Sequence, residues 1–165
     1  MKKLLFTLAL LISFSSFGQT AEEYFKSGND KFDANDNYGA ISDYTKVIEL
    51  DPNNANAYNN RGVSKRNLKD YYGAIADYTK AIELDPKYSA YFNRGNSKHY
   101  LKDYNGAIAD YTKAIELDPN DALAYINRAI VKEILGDLNG ACADWKKAAR
   151  LGHEVAAKWV ANQCN

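Results

Sequence analysis

Residues 74–86 read AIADYTKAIELDP, residues 107–119 repeat that stretch letter for letter, and residues 40–52 read AISDYTKVIELDP. A looser fourth copy begins at Ala141. The opening alanine therefore recurs at Ala40, Ala74, Ala107 and Ala141, at intervals of 34, 33 and 34 residues. Gly28, Gly62, Gly95 and Ala129 recur at the same three intervals. One residue is missing between Pro86 and Gly95, where a surface connection absorbs it. A period near 34 implies stacked supersecondary units, because one unit of that size cannot bury its apolar face alone.

Each period reads as two helices. In the second period Tyr71, Ala74, Ile75, Tyr78 and Ile82 fall at helical offsets and make one apolar face. Asp36, Asp70, Asp103 and Asp137 stand just before these helices. A carboxylate there accepts from the first free amides and complements the positive helix end. Asp51-Pro52, Asp85-Pro86 and Asp118-Pro119 then stop the helix, since proline biases its predecessor away from helical geometry. Gly28, Gly62 and Gly95 lie inside the first helix of each period, at a cost of roughly 1 kcal/mol each against alanine. The expected return is close approach of the partner helix.

At these positions the chain resembles the tetratricopeptide repeat family, whose pattern places an aromatic, Gly, Ala, an aromatic and Pro at fixed offsets. Tyr24, Gly28, Ala40, Tyr44 and Pro52 match it, as do Tyr58, Gly62, Ala74, Tyr78 and Pro86, then Tyr91, Gly95, Ala107, Tyr111 and Pro119. The fourth unit keeps Tyr125, Ala141 and Trp145 but has Ala129 for Gly and His153 for Pro. The resemblance implies an all-α, right-handed solenoid of helical hairpins, with units at 21–54, 55–87, 88–121 and 122–152. Residues 153–163 read as a helix whose Val155, Trp159 and Val160 cap the last stacking surface.

The chain opens with Met1-Lys2-Lys3, an apolar stretch over 4–14 and then small residues up to Gly18. That is the layout of a secretory signal peptide over 1–18, with the mature domain over 19–165. The apolar stretch is about half of the roughly 20 residues that span a bilayer. A retained anchor is the alternative. Loss of Lys2 and Lys3 tips a chain of 21 basic and 21 acidic residues slightly acidic. Such a balance gives no field for gathering nucleic acid or anionic lipid. The expected address is periplasmic or secreted, with no membrane insertion after cleavage.

Export favours a disulfide between the only two cysteines, Cys142 and Cys164, which flank a turn at Gly152. The other reading is a buried Cys142 and a free Cys164. Arg61, Arg94 and Arg128 precede the repeat Gly or Ala, whereas the first unit has Ser27 there. Each second helix carries Asp43, Asp77, Asp110 or Asp144 before its aromatic. Pairing within units strands Asp43, so the expectation is pairing between units: Arg61 with Asp43, Arg94 with Asp77 and Arg128 with Asp110. Three ordinary surface charges are the alternative.

The resemblance also implies a concave groove lined by the first helix of each unit. The family's groove positions fall on Asn29, Asn60, Arg66, Phe92, Asn93, Asn96, His99, Ile126, Asn127 and Ile130. Asn60, Asn93 and Asn127 form a ladder whose amides both donate and accept, as the backbone of an extended peptide requires. Phe92, Ile126 and Ile130 offer apolar pockets beside it. The competing readings are helix-on-helix packing for the apolar residues and contacts between neighbouring units for the asparagines. The family's carboxylate-clamping set is incomplete here: Lys26 is one residue out of place, and Ser89 and Asn93 stand where cations belong.

Nothing in the sequence points to catalysis, a metal or a cofactor. His99 and His153 are too far apart to cooperate, and no zinc-type spacing or phosphate-cradling glycine loop occurs. The expected function is a non-enzymatic scaffold that binds a protein or an extended peptide. A structural subunit that self-associates or stacks within an envelope assembly is the second reading.

Overall fold

The structure is a computed structural model that describes residues 19–164. The signal-like stretch 1–18 lies outside the described residues, among which nine α-helices and no strand occur. The first hairpin comprises α1 (Ala21–Asp33) and α2 (Asn37–Leu50), and the second α3 (Ala55–Asn67) and α4 (Tyr71–Leu84). The third has α5 (Tyr88–Tyr100) and α6 (Tyr104–Leu117), and the fourth α7 (Ala122–Ile134) and α8 (Leu138–Arg150). A single helix, α9 (Glu154–Gln163), follows.

Local chemistry sets the helix ends. Asp36, Asp70, Asp103 and Asp137 each accept a hydrogen bond from the amide three residues on, at 2.9 to 3.0 Å. The second helices of the first three hairpins end at Leu50, Leu84 and Leu117, one residue short of each Asp-Pro. Between the helices of each hairpin one residue turns left-handed: Asn35, Lys69, Lys102 and Gly136, with φ of 61°, 64°, 63° and 83°. The missing residue of the third period shortens the link before α5. That link loses the Asn or Asp that caps α3 and α7, and α5 starts after Lys87 with no side-chain cap.

Each helix packs on the next in the chain. Besides these neighbours, α3 touches α5 and α5 touches α7, whereas no comparable contact joins the second helices to one another among the described residues. The first helices therefore form the inner, concave wall of a solenoid. Its core is one stripe per hairpin: Ala40, Tyr44 and Val47; Ala74, Tyr78 and Ala81; Ala107, Tyr111 and Ala114; Ala141, Trp145 and Ala148, all buried. The repeat glycines admit these rings. A Cβ on Gly28, Gly62 or Gly95 would stand 2.8 Å from the ring of Tyr44, Tyr78 or Tyr111. Close approach is thus the reason for glycine, and it lies within each hairpin.

The far end is closed by α9. Its Trp159 ring lies 5.6 Å from that of Trp145, Ala156 is buried beside Tyr125 and Ile126, and a disulfide joins Cys142 to Cys164. His153, in the place of the repeat proline, accepts from the Ala156 amide and starts this helix.

Candidate peptide-binding trough

The walls of the concave side are held by buried ion clusters. Arg61 forks onto Asp77, with Nη2 2.7 Å from Oδ1 and Nε 2.9 Å from Oδ2, and Lys65 reaches the same carboxylate at 2.7 Å. Arg94 and Lys98 hold Asp110 in the same way, and Arg128 and Lys132 hold Asp144. Asp43 receives Lys31 Nζ and the Ser27 hydroxyl, each at 2.6 Å. These clusters correct the pairing expected between units. Arg61 does not meet Asp43, Arg94 does not meet Asp77, and Arg128 does not meet Asp110; each arginine serves the aspartate of its own hairpin. Lys31, Lys65, Lys98 and Lys132 were the missing term. Each stands four residues after Ser27 or the arginine, and so on the same helix face. With Lys31 counted, Asp43 is not stranded.

From these clusters, what passes between hairpins is the remaining arginine nitrogen. Nη1 of Arg61, Arg94 and Arg128 donates to the hydroxyl of Thr45, Thr79 and Thr112 in the preceding second helix, at 3.0 to 3.1 Å. Each guanidinium also lies 5.5 to 5.8 Å from the ring of Tyr58, Tyr91 or Tyr125 one turn earlier. Isolated pairs at a surface contribute little. Pairs as enclosed as these are costly to break, because one unpaired charge stays buried.

The asparagines of the expected ladder make contacts between neighbouring hairpins, the competing reading of these residues. Asn60 donates to Asn29 Oδ1 at 3.2 Å, and Asn127 donates to Asn96 Oδ1 at 3.0 Å. Asn93 accepts from Arg66 at 2.9 Å. The same Oδ1 atoms of Asn29 and Asn96 accept the hydroxyls of Tyr44 and Tyr111, at 2.7 and 2.8 Å. In the second hairpin Val63 stands in the place of Asn29 and Asn96, and the Tyr78 hydroxyl is buried without a partner among the described residues. Burial pushes the phenols of Tyr78 and Tyr111 well above their ordinary range, so both stay protonated donors at any physiological pH.

Two cavities open along this wall. The first, about 290 Å³, is lined by Asn29, Phe32, Asp33, Tyr44, Asn60 and Val63. The second, about 610 Å³, takes Asn96 and His99 from α5, Asn127 from α7 and Arg66 from α3. Asn67, Lys69, Tyr71 and Tyr100 complete it. Tyr71 and Tyr100 stack across two hairpins with ring centroids 4.9 Å apart. Desolvation holds the His99 imidazole below its ordinary pKa, so it is neutral at neutral pH.

Six of the ten expected groove residues line these cavities: Asn29, Asn60, Arg66, Asn96, His99 and Asn127. Asn93 is held beside them by Arg66. The expected apolar pockets are corrected. Ile126 is buried with Tyr125, Ala148 and Ala156, and Ile130 packs on the same cluster, because α9 covers that end. Phe92 is wedged between Tyr88 and Tyr111, with centroids 5.5 and 6.0 Å away. Lys69, Tyr71 and Tyr100 line the second cavity but lie outside the family's groove positions. Lys69 is a turn residue, Tyr71 opens a second helix and Tyr100 closes a first one. Among the described residues no group of three or more His, Cys, Asp or Glu is placed to hold a metal, and no helix is long and apolar enough to cross a membrane.

Family models of the tetratricopeptide repeat match residues 55–88, 88–121 and 110–143, and a TPR repeat model matches 28–68. Among solved structures the chain is similar to the Arabidopsis OM64 TPR domain, with 30% identity, 68% of this chain and 94% of that one covered, and a TM-score of 0.67. It is also similar to the first TPR of Spaghetti (RPAP3) bound to the HSP90 peptide SRMEEVD, with 29% identity, 70% and 93% covered and a TM-score of 0.69. The MamA protein is a third, with 26% identity, 80% and 73% covered and a TM-score of 0.77. Comparison with curated protein sequences finds no match.

Proposed function

The chain belongs to the tetratricopeptide repeat family, whose members generally mediate protein–protein interactions, and on that premise we propose that it is a non-catalytic scaffold holding an extended polypeptide in its concave trough, outside the cytoplasm. The carrying observation is the pair of cavities on the inner wall, built from first-helix residues of all four hairpins. Asn60 and Asn127 each commit one N–H to a neighbouring hairpin, which leaves a second donor for a ligand backbone. A relative of the same fold carries a peptide, the TPR of Spaghetti with its HSP90 segment. Binding is at equilibrium, to a surface already shaped in the free protein, which limits the ordering cost.

The export assignment rests on the Lys2-Lys3 start and the apolar stretch 4–14. A disulfide in the folded domain suits an oxidising compartment. Sequencing the N-terminus of protein recovered from intact cells tests this, with Gln19 as the expected first residue. An uncleaved Met1 in the cytoplasm refutes it.

A peptide array probed with the protein tests the trough. Hits should weaken on Asn60→Ala and Asn93→Ala and keep their strength on Lys80→Ala, which lies on the outer face. Equal loss from both faces refutes the assignment. Self-association is a second reading, favoured by Ile134, Leu135 and Leu138. They are about half exposed together at the turn between α7 and α8. Mass that rises with protein concentration in light scattering, with no added ligand, decides for it.

A further inference from the structure

We infer that the second cavity takes the carboxylate of an acidic side chain within the bound polypeptide, so that the trough selects segments carrying glutamate or aspartate; this rests on the trough being the binding surface. Two cations, Arg66 and Lys69, line the cavity, and no carboxylate does. On the same helix Arg61 and Lys65 are neutralised by Asp77. Arg66 has only a neutral amide, Asn93, as its partner, and neither it nor Lys69 is in an ion pair among the described residues. The one acid of the two cavities is Asp33, in the first.

The hydrogen-bonding polarity agrees with the charge. Asn96 Oδ1 already accepts twice, from the Tyr111 hydroxyl and from Asn127. Its two lone pairs are occupied, so what Asn96 can offer a ligand is its NH2. Asn127 keeps its second N–H, and Arg66 keeps the donors it does not give to Asn93. Against them stand tyrosine hydroxyls, the neutral His99 ring and the amide oxygens of Asn127 and of Asn67, whose N–H is held by Asn37. Donors plus two positive charges suit a ligand that only accepts, and an ionised carboxylate is the acceptor-only group of polypeptides. The stacked Tyr71 and Tyr100 wall, with Tyr100 largely exposed, gives the aliphatic stem of such a residue a surface to lie on. The first cavity lies on the preceding hairpins of the same wall, so a segment long enough to reach both carries its acidic residue within the chain. The carboxylate is therefore assigned to a side chain rather than a chain end.

Titration calorimetry with blocked peptides Ac-Gly-Ser-Phe-X-Phe-Ser-Gly-NH2 tests this, with X as Glu, Gln or Lys, alongside the Gln peptide ending in a free carboxylate. The Glu peptide should bind about tenfold tighter than Gln or Lys, as a charge-assisted hydrogen bond supplies. In Arg66→Gln, and separately in Lys69→Gln, that preference should shrink towards unity while the melting temperature barely moves. Amide shifts in NMR locate the contact. Equal affinity for Glu and Gln, with shifts in the trough, overturns the acidic selection and leaves the scaffold reading intact. Tighter binding of the free-carboxylate peptide overturns the side-chain assignment. Shifts confined to the outer face, or none with any peptide, overturn both.

Discussion

The Tyr111 hydroxyl donates to Asn96 Oδ1 at 2.8 Å, and one hairpin earlier the equivalent Tyr78 hydroxyl, equally buried, has no acceptor among the described residues because Val63 replaces the asparagine. The two sites share a fold position and differ in one partner. Tyr111→Phe should cost about 1 kcal/mol, the net worth of a hydrogen bond plus an acceptor left short. Tyr78→Phe removes an unsatisfied polar atom and should be neutral or slightly stabilising. Urea unfolding of the two variants decides, and equal losses would falsify the assignment of the bond.

The corrected ion pairing makes its own prediction. Asp77→Ala leaves Arg61 and Lys65 facing each other with no anion between them, and should cost about 3 kcal/mol. In a double-mutant cycle, Arg61→Ala and Asp77→Ala should couple by at least about 1 kcal/mol, whereas Arg61→Ala and Asp43→Ala should add. Coupling to Asp43 instead of Asp77 would restore the pairing between units.

Lys102 holds φ at 63°, a left-handed conformation that costs a residue with a Cβ about 1 kcal/mol and glycine little. The fourth hairpin has Gly136 at the equivalent turn. Lys102→Gly should therefore raise stability by roughly 0.5 kcal/mol after the extra freedom glycine gains when unfolded. Lys102→Ala is the control: it removes the same charge, keeps the Cβ and should give no gain. Thermal melts of the pair read the difference.

The bridge from Cys142 to Cys164 closes a separation of 22 residues, for which chain entropy gives about 3 kcal/mol. Replacing both cysteines with serine should lower stability by that order, with the Trp145 and Trp159 fluorescence changing first as α9 loosens. Reductant should reproduce the effect in the parent protein and do nothing to the double variant. A parent protein indifferent to reductant would show that packing of α9 alone suffices.

The parts of this molecule that depend on neighbours in sequence are legible in the sequence itself. The capping aspartates, the Asp-Pro stops and the ring-accommodating glycines all act within a turn or a hairpin, and the helices begin and end where those residues say. The partner of Arg61 was not legible in the same way. Asp43 and Asp77 occupy equivalent places on either side of it, and only the side-chain directions distinguish them. A count of arginines alone points to the wrong neighbour, whereas Lys31, four residues after Ser27, gives Asp43 a cation of its own hairpin. Ile126 and Ile130 were misplaced for a related reason: groove positions hold for interior units, and α9 turns the last unit's groove into core. The cation-rich second cavity emerges only when the turn residue Lys69 is set beside helix residues of the next hairpin.

Because each hairpin neutralises its own aspartate, it is a portable block. Had the salt bridges run across the junctions, the aspartate of whichever block stood last would have had no arginine to meet it. As it stands, what crosses a seam is an arginine nitrogen on a threonine hydroxyl together with the asparagine bonds, and the second and third copies each bring both the arginine and the threonine. That makes lengthening the array by whole periods electrostatically silent, which accounts for how residues 74–86 and 107–119 can be the same thirteen letters and still each fit where they are.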